Sequence, residues 1–457
     1  MTTASESSPD SPLIESTDQL TAYLESGSKP AAEWRIGTEH EKFVFCESNL
    51  GPVGYDGERG IRAILEKLGA HTGWTPIMEG DHPIGLQGEG ATVSLEPGGQ
   101  FELSGALLDD IHQTCDEVHR HLAAVKAVCE PLGVAFLGMG FAPTWALDEM
   151  PRMPKDRYNI MRAYMPTKGG LGLDMMHRTC TVQVNLDYGS EADMANKFRA
   201  ALALQPIATA LFANSGLIEG EPSGYASYRA HIWSDTDPDR TGLLNFVFED
   251  GFGFERYVEY MLDVPMYFVR RDGRYIDASG QSFRDFIAGR LPAAPGVRAT
   301  MEDWEDHLST AFPEVRLKRF LEMRGADGGP WARICALPAF WVGLLYDETA
   351  LAAALDLTKN WREEEREALR LDAARLGLKA QIQDRTVQEI ALDVLEIARD
   401  GLRRRARAGK RDADETDYLD PLQEIAESGV TMGEKIADMF EGSMNGDARA
   451  LFDEFKF

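Results

Sequence analysis

No run of about 18 consecutive apolar residues occurs in the 457-residue chain, so no membrane-spanning helix is expected. Positive charge is scarce: 47 Lys and Arg stand against 75 Asp and Glu, a net charge of −28. Such a surface repels nucleic acid and anionic membrane. It repels anionic ligands as well, so any phosphate-bearing ligand needs a local basic cluster or a bound cation. Cysteine is also scarce. The five are Cys46, Cys115, Cys129, Cys180 and Cys335. None forms a C-x-x-C pair and their number is odd, so reduced thiols are expected, most of them packed as small hydrophobes. With no H-E-x-x-H either, nothing points to zinc. The phosphate-binding signature G-x-x-x-x-G-K-[ST] is missing too. "GVTMGEK" (Gly429–Lys435) has neither its spacing nor its hydroxyl, and "GFGF" at Gly251 follows no strand. Phosphates would have to be held by metal ions and arginines. The first twenty residues, "MTTASESSPDSPLIESTDQL", lack the apolar core of a secretory signal and the Arg-rich, acid-poor make-up of a transit peptide.

What the chain does have is a set of strands with one polar face. In "RIGTEHEKFVF", side-chain alternation puts Glu39, Glu41, Phe43 and Phe45 on one side. In "GATVSLEPGGQFELSG", two short strands about Pro97-Gly98-Gly99 carry Ser94 and Glu96, then Gln100, Glu102 and Ser104, on one face. Val93, Leu95, Phe101 and Leu103 lie on the other. "TCTVQVNLDY" alternates without exception between an apolar face and a polar one with Gln183 and Asn185. A solvated sheet would carry a mixture of Lys, Arg and Glu, whereas Gln, Asn and small hydroxyls suit a lined cleft. In "VRLKRFLEMRGADGGPW", read as one strand over Val315–Met323, Arg316, Lys318, Glu322 and Arg324 share a face. Glu39, Glu41, Glu96, Glu102 and Glu322 could thus line one cavity. So many carboxylates repel one another unless divalent cations bind them, and Mg²⁺ prefers such oxygen ligands shared with phosphates. "SYRAHIWSDTDPDRTG" reads as an ordered loop in which Arg229 and Arg240, with Trp233, form a substrate carboxylate clamp, the other reading being a surface loop held by an Asp–Arg pair.

The strands are spread over the first three quarters of the chain, and residues 331–457 read as mostly helical. This pattern predicts an α+β fold with an antiparallel sheet. Residues 1–19 are expected to be a disordered tail, and 20–457 a single domain with a helix near Asp18–Leu24.

These strings, with "MMHRTCTVQVNLDY", "KFRAALALQPIATALFANS", "VPMYFVRRDGRYID" and "CALPAFWVGLLYD", resemble in order the glutamate–cysteine ligases of plant and proteobacterial type. The resemblance covers most of the chain from about residue 30. It implies the glutamine-synthetase-like superfamily, in which a curved antiparallel sheet forms a funnel lined with metal ligands. It implies ATP-dependent joining of L-glutamate and L-cysteine into γ-glutamylcysteine, the first step of glutathione biosynthesis. By motif position it makes Glu39, Glu41, Glu96, Glu102 and Glu322 ligands of two or three Mg²⁺ ions, with Mn²⁺ an alternative. Gln183 and Asn185 become substrate-side polar groups. Arg178, Arg229 and Arg324 become holders of the glutamate carboxylate or the transferring phosphate, and Arg316, Lys318 and Arg324 ATP-binding cations. Ala278 and Ala293 stand where plant members carry a regulatory cysteine pair, so that thiol switch is not expected. A cytoplasmic enzyme, monomeric or homodimeric, with no nucleic-acid or membrane partner, is the expectation. The competing readings are a related γ-glutamyl ligase using another amine, and a metal-dependent hydrolase.

Overall fold

The computed structural model describes residues 11–406 and 414–457. Eleven strands matter for the site. They are β1 (Ile36–Cys46), β2 (Thr75–Glu79), β3 (His82–Gly88), β4 (Ala91–Leu95), β5 (Phe101–Ser104), β6 (Val134–Leu137), β7 (Thr181–Leu186), β8 (Phe268–Arg271), β9 (Arg274–Asp277), β10 (Val315–Leu317) and β11 (Leu321–Asp327). Nine of them form one sheet in the order β10-β11-β7-β1-β5-β4-β3-β2, with β6 paired to the far end of β1. Every pairing in it is antiparallel. Strands β8 and β9 form a separate hairpin about Asp272-Gly273, both at positive φ, as the dipeptide predicts.

The apolar face of the sheet is covered by helices. Val182, Val184 and Leu186 of β7 are fully buried against α5 (Glu191–Phe212) and α7 (Trp331–Leu345). Ahead of these in the chain come α1 (Ile61–Thr72), α2 (Ile111–Cys129), α3 (Asp156–Tyr164) and α4 (Gly172–Arg178), and between them α6 (Met301–Leu308). Helix α2 begins where Asp110 accepts the Gln113 N–H at 2.9 Å. It buries Ile111, Cys115, Val118, His121, Val125 and Cys129, an interval of three to four residues that keeps them on one stripe. Helix α5 starts with Ser190 as N-cap, as its Ser-x-x-Asp spacing predicts, and Pro206 lies inside it without ending it. Helix α7 is apolar apart from Arg333 and is buried on every side from that residue on. Among the described residues no single helix is long and apolar enough to cross a membrane.

The structure departs from the sequence reading in several places. Residues 1–10 of the expected tail lie outside the described residues, and the rest of it is ordered and tied down at Ile14. Ile14 is buried and donates its N–H to Ala299 O at 2.9 Å, and a helix runs over Thr17–Glu25. The stretch Val315–Met323 is a tight hairpin rather than one strand: Lys318 N–H meets Phe320 O at 2.8 Å, which puts Arg316 directly opposite Glu322. The expected loop around Trp233 is partly the helix Tyr228–Trp233, capped by Ser227. Strands β2 and β3 were not expected, because Pro76 and Pro83 mute the strand signal at this sheet edge. Finally, Cys115 of α2 and Cys335 of α7 are joined as a disulfide, with Cα atoms 5.7 Å apart, where five reduced thiols were expected.

Candidate active site

Strand β1 carries the centre of the site because two strands flank it there. Glu41 stands opposite Glu102 of β5, and Glu39 stands between Ser104 of β5 and Gln183 of β7. On the next strand Ser94 stands opposite Glu102. The register therefore lays polar side chains in rows across one face. His40 and Lys42 alternate to the other face, where both are fully buried and Lys42 Nζ lies 2.9 Å from His40 Nδ1.

The rows form one wall of a cleft. Glu39, Glu41, Glu96, Gln183, Arg229, Trp233 and Arg324, all expected site residues, line it together. Glu102 lies beneath Glu41, 1% exposed, and accepts from Ser94 Oγ at 2.7 Å. Glu41 accepts the Thr181 N–H at 3.0 Å. Burial, with Glu96 and Glu102 adding repulsion, raises its carboxyl well above the usual range. Glu96 is pushed up to about 7 by burial and by Glu102, against the pull of Lys155 and Arg157. The buried cationic counterpart, Lys155, donates to Leu95 O at 2.7 Å and is lowered to about 8, chiefly by burial. Among the described residues no three Asp, Glu, His or Cys side chains converge closely enough to hold a metal ion by themselves. The carboxylates are strung along the cleft instead. They are crowded oxygen donors without a centre of their own.

Other expected residues are placed differently. Asn185 donates to Glu39 Oε1 at 2.9 Å but faces a second cavity, which it shares with Lys29, Arg35, Lys318 and Arg319. Glu39 lines both cavities and so marks where they meet. Glu322 is fully buried, and both its oxygens are taken. Arg316 grips them at 2.6 and 2.8 Å, and Arg324 Nη1 reaches one at 2.9 Å. Although burial alone would raise it, Arg316, Lys318 and Arg324 hold its carboxyl well below the usual range. Glu322 thus anchors two arginines in this arrangement. Arg316 also donates from Nη1 to Ser309 O and Ala311 O, both at 2.9 Å, which turns most of its hydrogens inward. Arg324 is left aimed at the cleft, with Nη1 2.5 Å from Gln183 Oε1.

Arg178 and Arg240 do not reach the cleft. Arg178 turns away to Asp174, Trp145 O and Glu219. Arg240 is fully buried in a pair with Asp237 at 2.7 Å and lies over the Tyr267 ring at 3.9 Å. Both are corrected from substrate contacts to scaffold, because a nearby aspartate claims each guanidinium. Conversely, the cleft includes Arg157 and Tyr158 of α3, Asp306 of α6, and Arg270 and Tyr275, which face each other across the β8–β9 hairpin. The Asp272-Gly273 turn announced that hairpin. Nothing in the sequence around Arg157 announced its part.

A mixed fold of one large antiparallel sheet backed by helices, with carboxylates and arginines facing across a cleft, defines a class of carboxylate–amine ligase. The structure resembles the Francisella tularensis glutamate–cysteine ligase crystallised with AMP, with a TM-score of 0.54 over 92% of this chain and 89% of that one at 11% identity, a likeness of fold. Residues 35–454 match the model of glutamate–cysteine ligase family 2, and the chain belongs to that family. It is 56% identical over 440 residues to the Brassica juncea glutamate–cysteine ligase, covering 96% of this chain and 84% of that one. The Arabidopsis thaliana and Nicotiana tabacum enzymes are 56% and 55% identical over the same share of this chain and 83% of their own. The reaction is the ATP-dependent formation of γ-glutamylcysteine, the first step of glutathione biosynthesis. These relatives are named chloroplastic, which overturns the cytoplasmic placement expected from the sequence.

Proposed function

We propose that the cleft brings glutamate and the ATP γ-phosphate together between the β1 carboxylates and Arg229 and Arg324. The observation that carries this is Glu41, crowded by its cross-strand neighbour Glu102 and by Glu96, and lining one cleft with those guanidiniums. Glu39, Glu41, Glu96 and Glu102 would hold Mg²⁺, or Mn²⁺ in its place. Buried, mutually repelling oxygen donors suit a hard divalent ion whose remaining ligands are phosphates. Bound there, the ion would offset charge on the transferring phosphoryl.

The chain's own residues then divide the work. Arg324, steadied by Glu322 and Gln183, offsets negative charge as the glutamate γ-carboxylate attacks phosphorus and ADP leaves. Arg229, whose Nε has no hydrogen-bond partner and whose Nη2 donates to Arg324 O at 2.9 Å, holds a substrate carboxylate beside Trp233. The second cavity, with Lys29, Arg35, Lys318 and Arg319 on its wall, takes the rest of the nucleotide. Its junction with the cleft at Glu39 then delivers the γ-phosphate. Closure of the site against water protects the acyl phosphate from hydrolysis. Cysteine as the acceptor, ahead of another amine, is supported by the family.

The test is ADP release from Mg·ATP and glutamate, with and without cysteine, across a panel of amines. Strong stimulation by cysteine alone supports the reading. No ADP with any amine would sink it.

A further inference from the structure

The acceptor amine arrives as an ammonium ion and has to lose a proton before its nitrogen can attack. The β1 side of the cleft cannot easily serve it, because Glu39, Glu41 and Glu96 face the phosphoryl end. One more carboxylate lines the cleft, and it comes from a different wall: Asp306, near the C-terminal end of α6. Arg157 of α3 and Arg270 of the β8–β9 hairpin also line the cleft, and both act electrostatically on Asp306. An anion with two guanidiniums beside it is the complement of an amino acid's head group: ammonium to carboxylate, carboxylate to guanidinium. Phe268, Phe312 and Met175 also line the cleft and give it apolar, polarisable surface suited to a thiol side chain.

We propose that Asp306 receives the ammonium of the incoming cysteine and takes its proton as the amide bond forms, with Arg157 and Arg270 holding the cysteine carboxylate. The inference rests on the ligase reading above. In the step, the nitrogen lone pair forms a bond to the γ-carbonyl carbon of γ-glutamyl phosphate. The bond from that carbon to the phosphate oxygen breaks, and its electron pair leaves with phosphate. The ammonium first gives one proton to an Asp306 oxygen, which passes it to solvent and frees the lone pair; after the C–N bond has formed, the second surplus proton leaves nitrogen by the same oxygen, and the amide keeps one hydrogen. The carboxyl is suited to accept it, since burial pushes it up to about 6, Arg157 and Arg270 pull it back, and Asp303 and Glu302 of its own helix reinforce burial. A base whose conjugate acid titrates near the working pH is an effective proton acceptor.

Hydroxylamine separates this role from the rest of the enzyme, since it is neutral at neutral pH and carries no carboxylate. In full-length Asp306→Asn with Mg·ATP and glutamate, kcat/KM for cysteine is expected to fall by about 10²-fold or more. Formation of γ-glutamyl hydroxamate from hydroxylamine should persist at the parent's rate, with the KM for glutamate unchanged. Asp306→Glu should recover part of the cysteine activity and Asp306→Ser none. Equal loss with both acceptors, in Asp306→Asn and Asp306→Ser alike, would overturn the assignment, as would a raised KM for glutamate. Hydroxamate missing from the parent enzyme as well would sink the ligase reading and this assignment with it.

Discussion

Glu41→Gln removes one of three crowded anions without changing the shape of the side chain. If Glu41 helps bind Mg²⁺, kcat falls by about 10²-fold or more, and more Mg²⁺ is needed for half-maximal ADP release. The metal-free protein should melt no lower than its parent, because a source of repulsion is gone. Turnover and Mg²⁺ dependence left as in the parent would remove Glu41 from the site. Arg240→Ala has the opposite profile. It leaves Asp237 buried without its partner, so urea unfolding should show a loss of roughly 3–5 kcal/mol, while the KM values of the folded enzyme stay put. The contrast marks what single residues disclose. Glu39, Glu41 and Glu96 were legible because a strand's alternation fixes which side a carboxylate takes. An arginine is long and goes to its nearest anion. Arg178 goes to Asp174 and Arg240 to Asp237; an Asp–Arg pair was one reading of the second loop, and nothing in the sequence announced the first.

Among elements, the strands with clean alternation, β1, β4, β5 and β7, were legible almost to the residue. Those bearing proline were not. The stretch "VRLKRFLEM" misled for another reason: its period-two pattern persists through a turn, because Arg316 and Glu322 face each other across the hairpin as they would have lined up along one strand. The link between α2 and α7 was invisible to spacing, since Cys115 and Cys335 lie 220 residues apart. It has a simple consequence. Denatured without reductant, the protein should titrate three free thiols, Cys46, Cys129 and Cys180, and after reduction five. Five thiols from the start would remove the link.

For the molecule as a whole, buried histidines make stability depend on pH. His307 is buried between Phe283 and the carbonyl of Met261, and burial lowers it from 6.5 to about 4. Between those values the unfolded chain takes up a proton that the folded chain refuses. Stability is therefore lost as pH falls through that window, by up to roughly 3 kcal/mol for this group. The raised carboxylates act with the opposite sign, so the measurement is a difference. Acid unfolding of His307→Gln should lose less stability between pH 6.5 and about 4 than the parent does. Identical pH profiles would mean that His307 titrates normally in the folded protein. The net charge of −28 adds a second global effect: added salt should raise the melting temperature by screening self-repulsion.

The two-sided character of β1 also bears on how this gene can change over time. One face carries Glu39 and Glu41, and the other buries His40 and Lys42. Insertion or deletion of one codon near the start of the strand would turn it over, putting two acids in the core and the imidazole and ammonium in the cleft. Point mutations can be tried one at a time here, but length cannot. Lineages should therefore drift freely in the loops on either side while keeping this stretch the same number of residues long.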